Sequence, residues 1–294
     1  MVMPGIEKSD ILFIINPHSG NKNPSRILNL LHKEEPLISY IVTNNIKEVE
    51  EIFSGDFSKY KAVVVVGGDG TVNEVLKYLY DRPNIALAVL PTGSGNGFAK
   101  ELHFKNNLKL LLNSIYIGKT LDIDLLDVNN KICINVAGLG FDSFVAHRFQ
   151  EKGKRGFRSY ISTVIKSVFQ FSPFDVKITT SKLEITGRYQ MITIANTRQF
   201  GNNAFISPAS KPDDGVFEIV LVKPFPFYYY PIFIIRMFLG NLKNSKYVKY
   251  ICEKDSVSII SNYKKYHIDG DPYLFHDVLN IKMLINKIKI IKIE

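Results

Sequence analysis

The sequence predicts two domains of different class: an α/β domain built on a parallel sheet with helices on both faces, then a mainly antiparallel β-sandwich domain. Three observations carry this. Strand-like and helix-like apolar patterns alternate up to about residue 120. Beyond that point the period changes to alternating apolar and polar residues with few helices. The apolar run Ala62 to Val66 leads straight into Gly67-Gly68-Asp69-Gly70-Thr71 and then Val72, Val75, Leu76 and Leu79 at helical spacing. That is the pattern of a buried parallel strand, a tight turn and a helix.

In order, residues 1–122 read as strand Ile11–Asn16, helix Ser25–His32, strand Ile38–Thr43, helix Ile46–Phe53, strand Ala62–Val66, helix Val72–Tyr80 and strand Ile85–Leu90. Ligands of such sheets collect outside the carboxyl ends of the strands. Four of those ends carry polar or glycine-rich turns: NPHSG at 16–20, TNN at 43–45, GGDGT at 67–71 and PTGSGNG at 91–97. Residues 123–294 hold the alternating segments Lys131–Ala137, Tyr189–Ala195, Val216–Val222, Val257–Ser261 and Ile281–Ile293. Two helical insertions, about 141–170 and 226–239, interrupt them, and the C-terminal strand is a candidate to return to the first domain. No internal repeat or low-complexity linker marks the boundary.

The chain of 294 residues is 46% hydrophobic, enough for a full core in each domain, and carries 37 Lys and Arg against 28 Asp and Glu, a net charge of +9. An anionic partner fits that balance, whether nucleotide, acidic membrane surface or nucleic acid. The densest basic patches are Lys152, Lys154, Arg155 and Arg158, and Lys282, Lys287, Lys289 and Lys292. Aromatics do not interleave with them as in a base-stacking platform, so nucleic acid is not expected as a partner. Cys133 and Cys252 sit in alternating apolar segments without metal-type spacing and are expected to be small buried residues in a reducing, cytoplasmic setting. The N-terminus lacks the apolar stretch of a secretory signal, and the greasy run Phe225 to Leu239 is broken by Pro226, Pro231 and Arg236.

The glycine loops suit a polyanion: glycines let backbone N–H groups approach phosphate, a helix N-terminus adds its dipole, and Asp69 stands where a metal or reacting hydroxyl would be held. The competing reading is a tight βα turn with Asp69 as a helix cap. NPHSG supplies Asn16 and Ser19-Gly20 but no P-loop lysine, and PTGSGNG lacks the full dinucleotide fingerprint, so neither a Walker A nor a Rossmann NAD site is expected. The six histidines show no zinc spacing, and no G-x-S-x-G elbow occurs. Asp122 and Asp124 share a strand face as the chain leaves the first domain. Asp213-Asp214-Gly215 and Asp269-Gly270-Asp271-Pro272 are turn signals first, while His267, Asp269 and Asp271 on one strand face form an alternative metal cluster.

NPHSG at 16–20, VVVVGGDGTVNEV at 63–75, PTGSGNGFAKEL at 91–102, NVAGLGFD at 135–142, SPASKPDDGVFEIVLV at 207–222 and HIDGDP at 267–272 occur in one order. In that order they resemble the diacylglycerol kinase catalytic-domain superfamily, and the chain looks like one of its soluble bacterial lipid kinases, related to sphingosine and ceramide kinases. The resemblance implies an ATP- and magnesium-dependent lipid kinase. By motif, Asn16, Pro17, His18, Ser19, Gly20, Thr43, Gly67, Gly68, Asp69, Gly70, Thr71, Val72, Asn73, Ser94, Gly95 and Asn96 would surround ATP. Asp69 and Asp124 would join the catalytic magnesium and water network, and Asp214 with the backbone carbonyls of Lys211 and Val216 would hold a structural magnesium. Asp271, where relatives usually carry Glu, would be the proton acceptor, with Asp69 the other candidate; its shorter side chain reaches roughly 1–1.5 Å less far. The implied partners are a lipid substrate and the membrane surface by peripheral contact, and a homodimer is left open. The alternatives are an NAD kinase-like small-molecule kinase, which shares GGDGT, and a non-catalytic nucleotide or lipid sensor.

Overall fold

The computed structural model describes every residue except 1, 4, 21–23, 44–45, 56, 81, 94 and 152–156. The chain divides into two compact units, residues 1–123 with 286–294, and residues 124–285. The last nine residues therefore sit with the first unit, to which the C-terminal strand was a candidate to return.

In the first unit the chain runs β1 (Ile11–Ile15), α1 (Pro24–Glu34), β2 (Ser39–Val42), α2 (Ile46–Ser54), β3 (Ala62–Gly67), α3 (Asp69–Leu79), β4 (Ala86–Pro91), α4 (Gly97–Glu101), α5 (Leu108–Ile117) and the start of β5 (Thr120–Val128). Strands β2, β1, β3 and β4 lie side by side and parallel, with Phe13 opposite Val64 and Val64 opposite Ala88. The end of β16 (Val278–Ile291) adds a further parallel strand, Lys289 opposite Ala86. β1, β3 and β4 are buried at every position, as a parallel sheet covered on both faces requires. Their carboxyl ends are thereby held in fixed register, and the polar loops issue from that edge.

In the second unit the order is β6 (Ile132–Cys133), β7 (Val136–Gly140), α6 (Phe141–Glu151), α7 (Phe157–Val168), β8 (Phe174–Thr180), β9 (Glu184–Tyr189), β10 (Met191–Ala195), β11 (Phe217–Val222), a 3-10 turn at Phe227–Tyr229, α8 (Tyr230–Phe238), β12 (Val248–Glu253), β13 (Ser256–Ser261), β14 (Lys265–Ile268) and β15 (Asp271–Leu274). β12, β11, β10, β7, β14 and β15 form one antiparallel sheet. β13 pairs antiparallel with both β8 and the start of β16, and β8 pairs with β9.

In the six-stranded sheet the central strands β7, β10 and β11 are buried on both faces, with successive residues facing two different cores. Ile192, Ile194, Phe217, Ile219 and Leu221 point into a core shared with Ile178, Val257, Ile259 and Leu279 of the other sheet. Their sequence neighbours Met191, Ala195, Val220 and Val222 point the opposite way, onto Phe233, Phe225 and Met237 around α8. The outer sheet has only one buried face: β8 alternates buried and exposed along most of its length.

Cys133 is buried as expected, but Cys252 is exposed. It lies opposite Glu218 on the edge strand β12, and its neighbour Ile251 takes the inward phase. Phe217, fully buried in the central core, anchors the inter-sheet packing. Phe217→Ala should cost about 3–5 kcal/mol of stability. Denaturant titration should show a lower midpoint with an unchanged slope.

Candidate functional site

In the first unit, three loops of the carboxyl edge meet backbone to backbone. A Cβ on Gly93 would fall 2.5 Å from the Gly68 Cα, and one on Gly68 would fall 3.1 Å from the Gly93 Cα. Only two glycines permit that approach. Gly20 closes the third side, with the Thr92 carbonyl where its Cβ would stand. Side chains then lock the loops. Asn16 donates through Nδ2 to Thr71 Oγ1 at 3.0 Å and accepts the His18 N–H at 2.9 Å. Ser19 Oγ donates to the Asn16 carbonyl and meets Thr92 Oγ1 at 2.5 Å. Thr43 is tied to the sheet by its N–H on the Ile15 carbonyl.

Asp69 opens α3 but does not cap it. Its carboxylate reaches the next loop, accepting the N–H of Gly97 at 2.9 Å and of Phe98 at 3.1 Å, so it caps the short α4. Asn96 enters α4 in the left-handed region, at φ 54°, and donates to the Gly93 carbonyl. The side-chain oxygens of Asn73 and Asn96 are buried with no hydrogen-bond partner among the described residues. Orphaned acceptors of this kind are costly. Two of them beside a glycine cradle mark a surface completed by something else, and their lone pairs suit a ligand N–H, a hydroxyl or a hydrated cation.

In the second unit, Asp269 and Gly270 turn the β14–β15 hairpin with φ of 51° and 94°, Ile268 facing Asp271 across it. The Asp269 carboxylate folds back to accept the N–H groups of Ile134 (2.9 Å), Asn135 (2.8 Å) and Val136 (3.1 Å). Burial pushes its pKa up against those three donors and the His267 ring, which favour the anion. Burial also holds the Cys133 thiol well above its usual range, with Asp269 adding to the shift. Asp271 follows the turn on an exposed position.

His267 is fixed from two sides. Its Nδ1 accepts the Gly270 N–H at 3.3 Å, and its Nε2 lies 3.3 Å from Asp142 Oδ2. Asp142 also accepts from Thr193 Oγ1 and from the Ser143 N–H. Gly138 makes this pairing possible: it lies opposite both Thr193 and His267, and a Cβ there would stand 2.0 Å from Asp142 Oδ2. Asp142, Thr193 and Gly138 were not among the residues selected from sequence. Gly138 and Asp142 lie in the NVAGLGFD motif at 135–142, in which the first glycine sits four residues before the acid, while nothing in the sequence singled out Thr193.

Comparison with known proteins decides the family. The family model "Diacylglycerol kinase catalytic domain" matches residues 10–128, and "YegS C-terminal NAD kinase beta sandwich-like domain" matches residues 135–273. The chain belongs to the diacylglycerol kinase catalytic-domain superfamily. A relative named "Probable lipid kinase YegS-like" in Shewanella frigidimarina is 31% identical over 176 residues, 58% of this chain and 57% of that protein. The matched stretch thus spans little more than half of the relative's length. A crystal structure of a diacylglycerol kinase from Bacillus anthracis str. Sterne superposes with TM-score 0.75 at 19% identity over 98% of both chains. An NAD kinase from Archaeoglobus fulgidus in complex with ATP does so with TM-score 0.56 at 14% identity, over 97% of this chain and 94% of that one. These two likenesses are of fold.

Within this superfamily member the expected residues separate as follows. Asn16, Pro17, His18, Ser19, Gly20, Thr43, Gly67, Gly68, Asp69, Gly70, Thr71, Asn73, Gly95 and Asn96 lie in the first unit on or beside the loops just described. Ser94, with Asn44 and Asn45 of the TNN turn, lies outside the described residues. Val72 has its side chain in the core and its N–H on the Gly68 carbonyl. Asp124, Lys211, Asp214 and Val216 belong to the second unit. There Asp124 is 1% exposed and accepts the Gly215 N–H at 2.8 Å, while Asp214 accepts the Val216 N–H at 3.1 Å. A carboxylate with backbone carbonyls is an all-oxygen donor set of the kind a hard divalent cation takes. No cluster of three or more His, Cys, Asp or Glu fit to hold a metal occurs among the described residues. His267, Asp269 and Asp271 therefore do not form one, because backbone N–H groups and Asp142 take the first two.

Gly93→Ala should force the glycine loops apart and destabilise the first unit by roughly 1–3 kcal/mol, as overpacking does, measured by denaturant titration. Gly138→Ala should be destabilising in the natural chain and less so in an Asp142→Ala background. A double-mutant cycle checks this, and strict additivity would count against the draped Asp142.

Proposed function

We propose that the chain is an ATP-dependent kinase that transfers the γ-phosphoryl group to the hydroxyl of a lipid such as diacylglycerol or a sphingoid base. The observation that carries the reading is the glycine-lined edge of the first unit, with its two orphaned acceptors. Family membership and the ATP held by the fold relative from Archaeoglobus fulgidus support it.

Phosphoryl transfer asks little covalent chemistry of the protein: it needs positioning, charge neutralisation and a proton acceptor. Backbone N–H groups at Gly20, Gly68 and Gly95 are proposed to line the triphosphate, with Asn16 and Ser19 holding the first loop in shape. Asp271 is proposed to take the proton of the lipid hydroxyl as its oxygen bonds the γ-phosphorus. The bond between that phosphorus and the β–γ bridging oxygen breaks, and ADP leaves. Asp69 in the first unit, and Asp124 and Asp214 with the Lys211 and Val216 carbonyls in the second, are the groups proposed to hold magnesium. Bound there, magnesium supplies charge neutralisation on the phosphates and, at the 211–216 loop, structural support.

Purified protein with labelled ATP and magnesium should label at least one member of a lipid panel. Labelling of NAD and of no lipid would instead favour the NAD kinase-like reading. Asp271→Asn should lower kcat by about 10²–10⁴-fold while stability is retained, because the residue is exposed. Asp271→Glu tests the alternative of a sensor: activity arising only in that variant would make the natural chain a binding module.

A further inference from the structure

The hairpin that carries Asp271 stands at the edge of its sheet. Among the described residues β15 pairs with β14 alone, and each of the two strands is four residues long. Sheet bonding therefore holds the acid from one side only. A proton acceptor needs tighter placement, because a displacement of about 1 Å costs on the order of 10²-fold in rate. The second support is α6.

Three side chains of that helix reach the hairpin. Asp142, in the first turn, faces His267 Nε2 at 3.3 Å. His267 Nδ1 accepts the Gly270 N–H, so a neutral ring carries its hydrogen on Nε2, where Asp142 stands. One imidazole thus links the helix to the residue immediately before Asp271. Ser143 Oγ lies 3.0 Å from the Lys265 carbonyl at the start of β14. One turn further along α6, His147 Nε2 lies 3.3 Å from the Tyr266 carbonyl and 3.1 Å from the Tyr273 carbonyl. Tyr266 and Tyr273 are opposite each other in the two strands. Carbonyls only accept, so the His147 ring donates and one N–H spans both strands.

Stability alone does not account for this choice of side chains. Asp142 is 8% exposed and His267 3%, and a buried ionisable pair often holds a fold no better than apolar residues of the same volume. What polar contacts add over apolar packing is direction, since hydrogen bonds weaken steeply away from their preferred geometry.

We propose that α6 fixes the hairpin, with Asp142, acting through His267, and His147, acting through both strands, as positioning residues for Asp271. This rests on the lipid-kinase reading, in which Asp271 takes the proton of the acceptor hydroxyl. The test uses the full chain with ATP, magnesium and dioctanoylglycerol, or sphingosine if that is the lipid labelled. Hydrogen–deuterium exchange of the same proteins, read by mass spectrometry, runs beside it. Asp142→Asn should lower kcat roughly 10–10²-fold and leave KM for ATP and for lipid within about twofold. In an Asp271→Asn background the same substitution should lower kcat by less than about twofold, because no acceptor remains to be positioned. A merely structural role would lower kcat by the same factor in both backgrounds. His147→Leu should act in the same direction, and His147→Gln, which keeps an N–H donor, should recover most of the loss. Amides of residues 265–274 should exchange faster in Asp142→Asn and His147→Leu than in the natural chain, with those of β8 unchanged. Circular-dichroism melts confirm folding, and if Asp142→Asn melts early the cycle is run with His147→Leu. Equal factors in the two backgrounds, or unchanged exchange in the hairpin, overturn the proposal while a labelled lipid keeps the kinase reading. If no lipid is labelled, the kinase reading falls, and exchange alone decides whether α6 fixes the hairpin.

Discussion

The contact on which the first unit's candidate site depends is the approach of Gly68 to Gly93. Two loops from neighbouring parallel strands touch through their main chains because neither carries a Cβ. Everything else on that edge follows from the spacing. With the loops that close, the Asp69 carboxylate reaches the first N–H groups of α4, and Thr92 comes within reach of Ser19. The register of β3 and β4, with Gly67 opposite Pro91, sets the position of both glycines. The apolar runs and the glycine turns are parts of one device: rigid strands deliver flexible backbone to one edge.

Carboxylates recur in the second unit as ties to backbone. Asp124 holds Gly215, Asp142 holds Ser143 and faces His267, and Asp269 holds three consecutive N–H groups at the entry to β7. Hydrogen bonds to a charged partner contribute about 1.5–3 kcal/mol each, more than those between neutral groups. The ties of Asp124 to Gly215, of Asp142 to His267 and of Asp269 to Ile134 join segments far apart in sequence. The hairpin bearing Asp271 is braced in this way twice, once through Asp269 and once through His267, so an exposed acid stands on a turn with little freedom.

The periodic signals were the legible part of the fold. A continuous apolar run followed by GGDGT identified β3 and α3, and the alternating segments identified β10, β11 and β13, because burial on one face or on both leaves a direct mark on the pattern. What sequence could not show was pairing between distant segments. Asp69 looked like a cap for its own helix, or a metal ligand, yet it bonds residues almost thirty positions on. His267 and Asp269 shared a strand face on paper, but the turn at 269–270 sends their side chains to different partners. Cys252 looked buried because the strand around it alternates; it shares its face of β12 with Val248 and Tyr250, which pack in the cluster around Phe233, but stands exposed near the end of the strand.

The same ambiguity of phase governs α8. A stretch such as YPIFIIRMF is apolar at nearly every position, so its period cannot say which side is covered. The sheet chooses for it: Val220 and Val222 present a second apolar face that the opposing sheet does not cover, and Phe233 with Met237 fills that face. Ile232, Ile235 and Leu239 are then left outward by geometry, because a helix packed on one side turns the rest of its surface away. A chain selected only for solubility would carry polar residues there. This one carries Ile232, Ile235 and Leu239 there instead, and all three stand exposed.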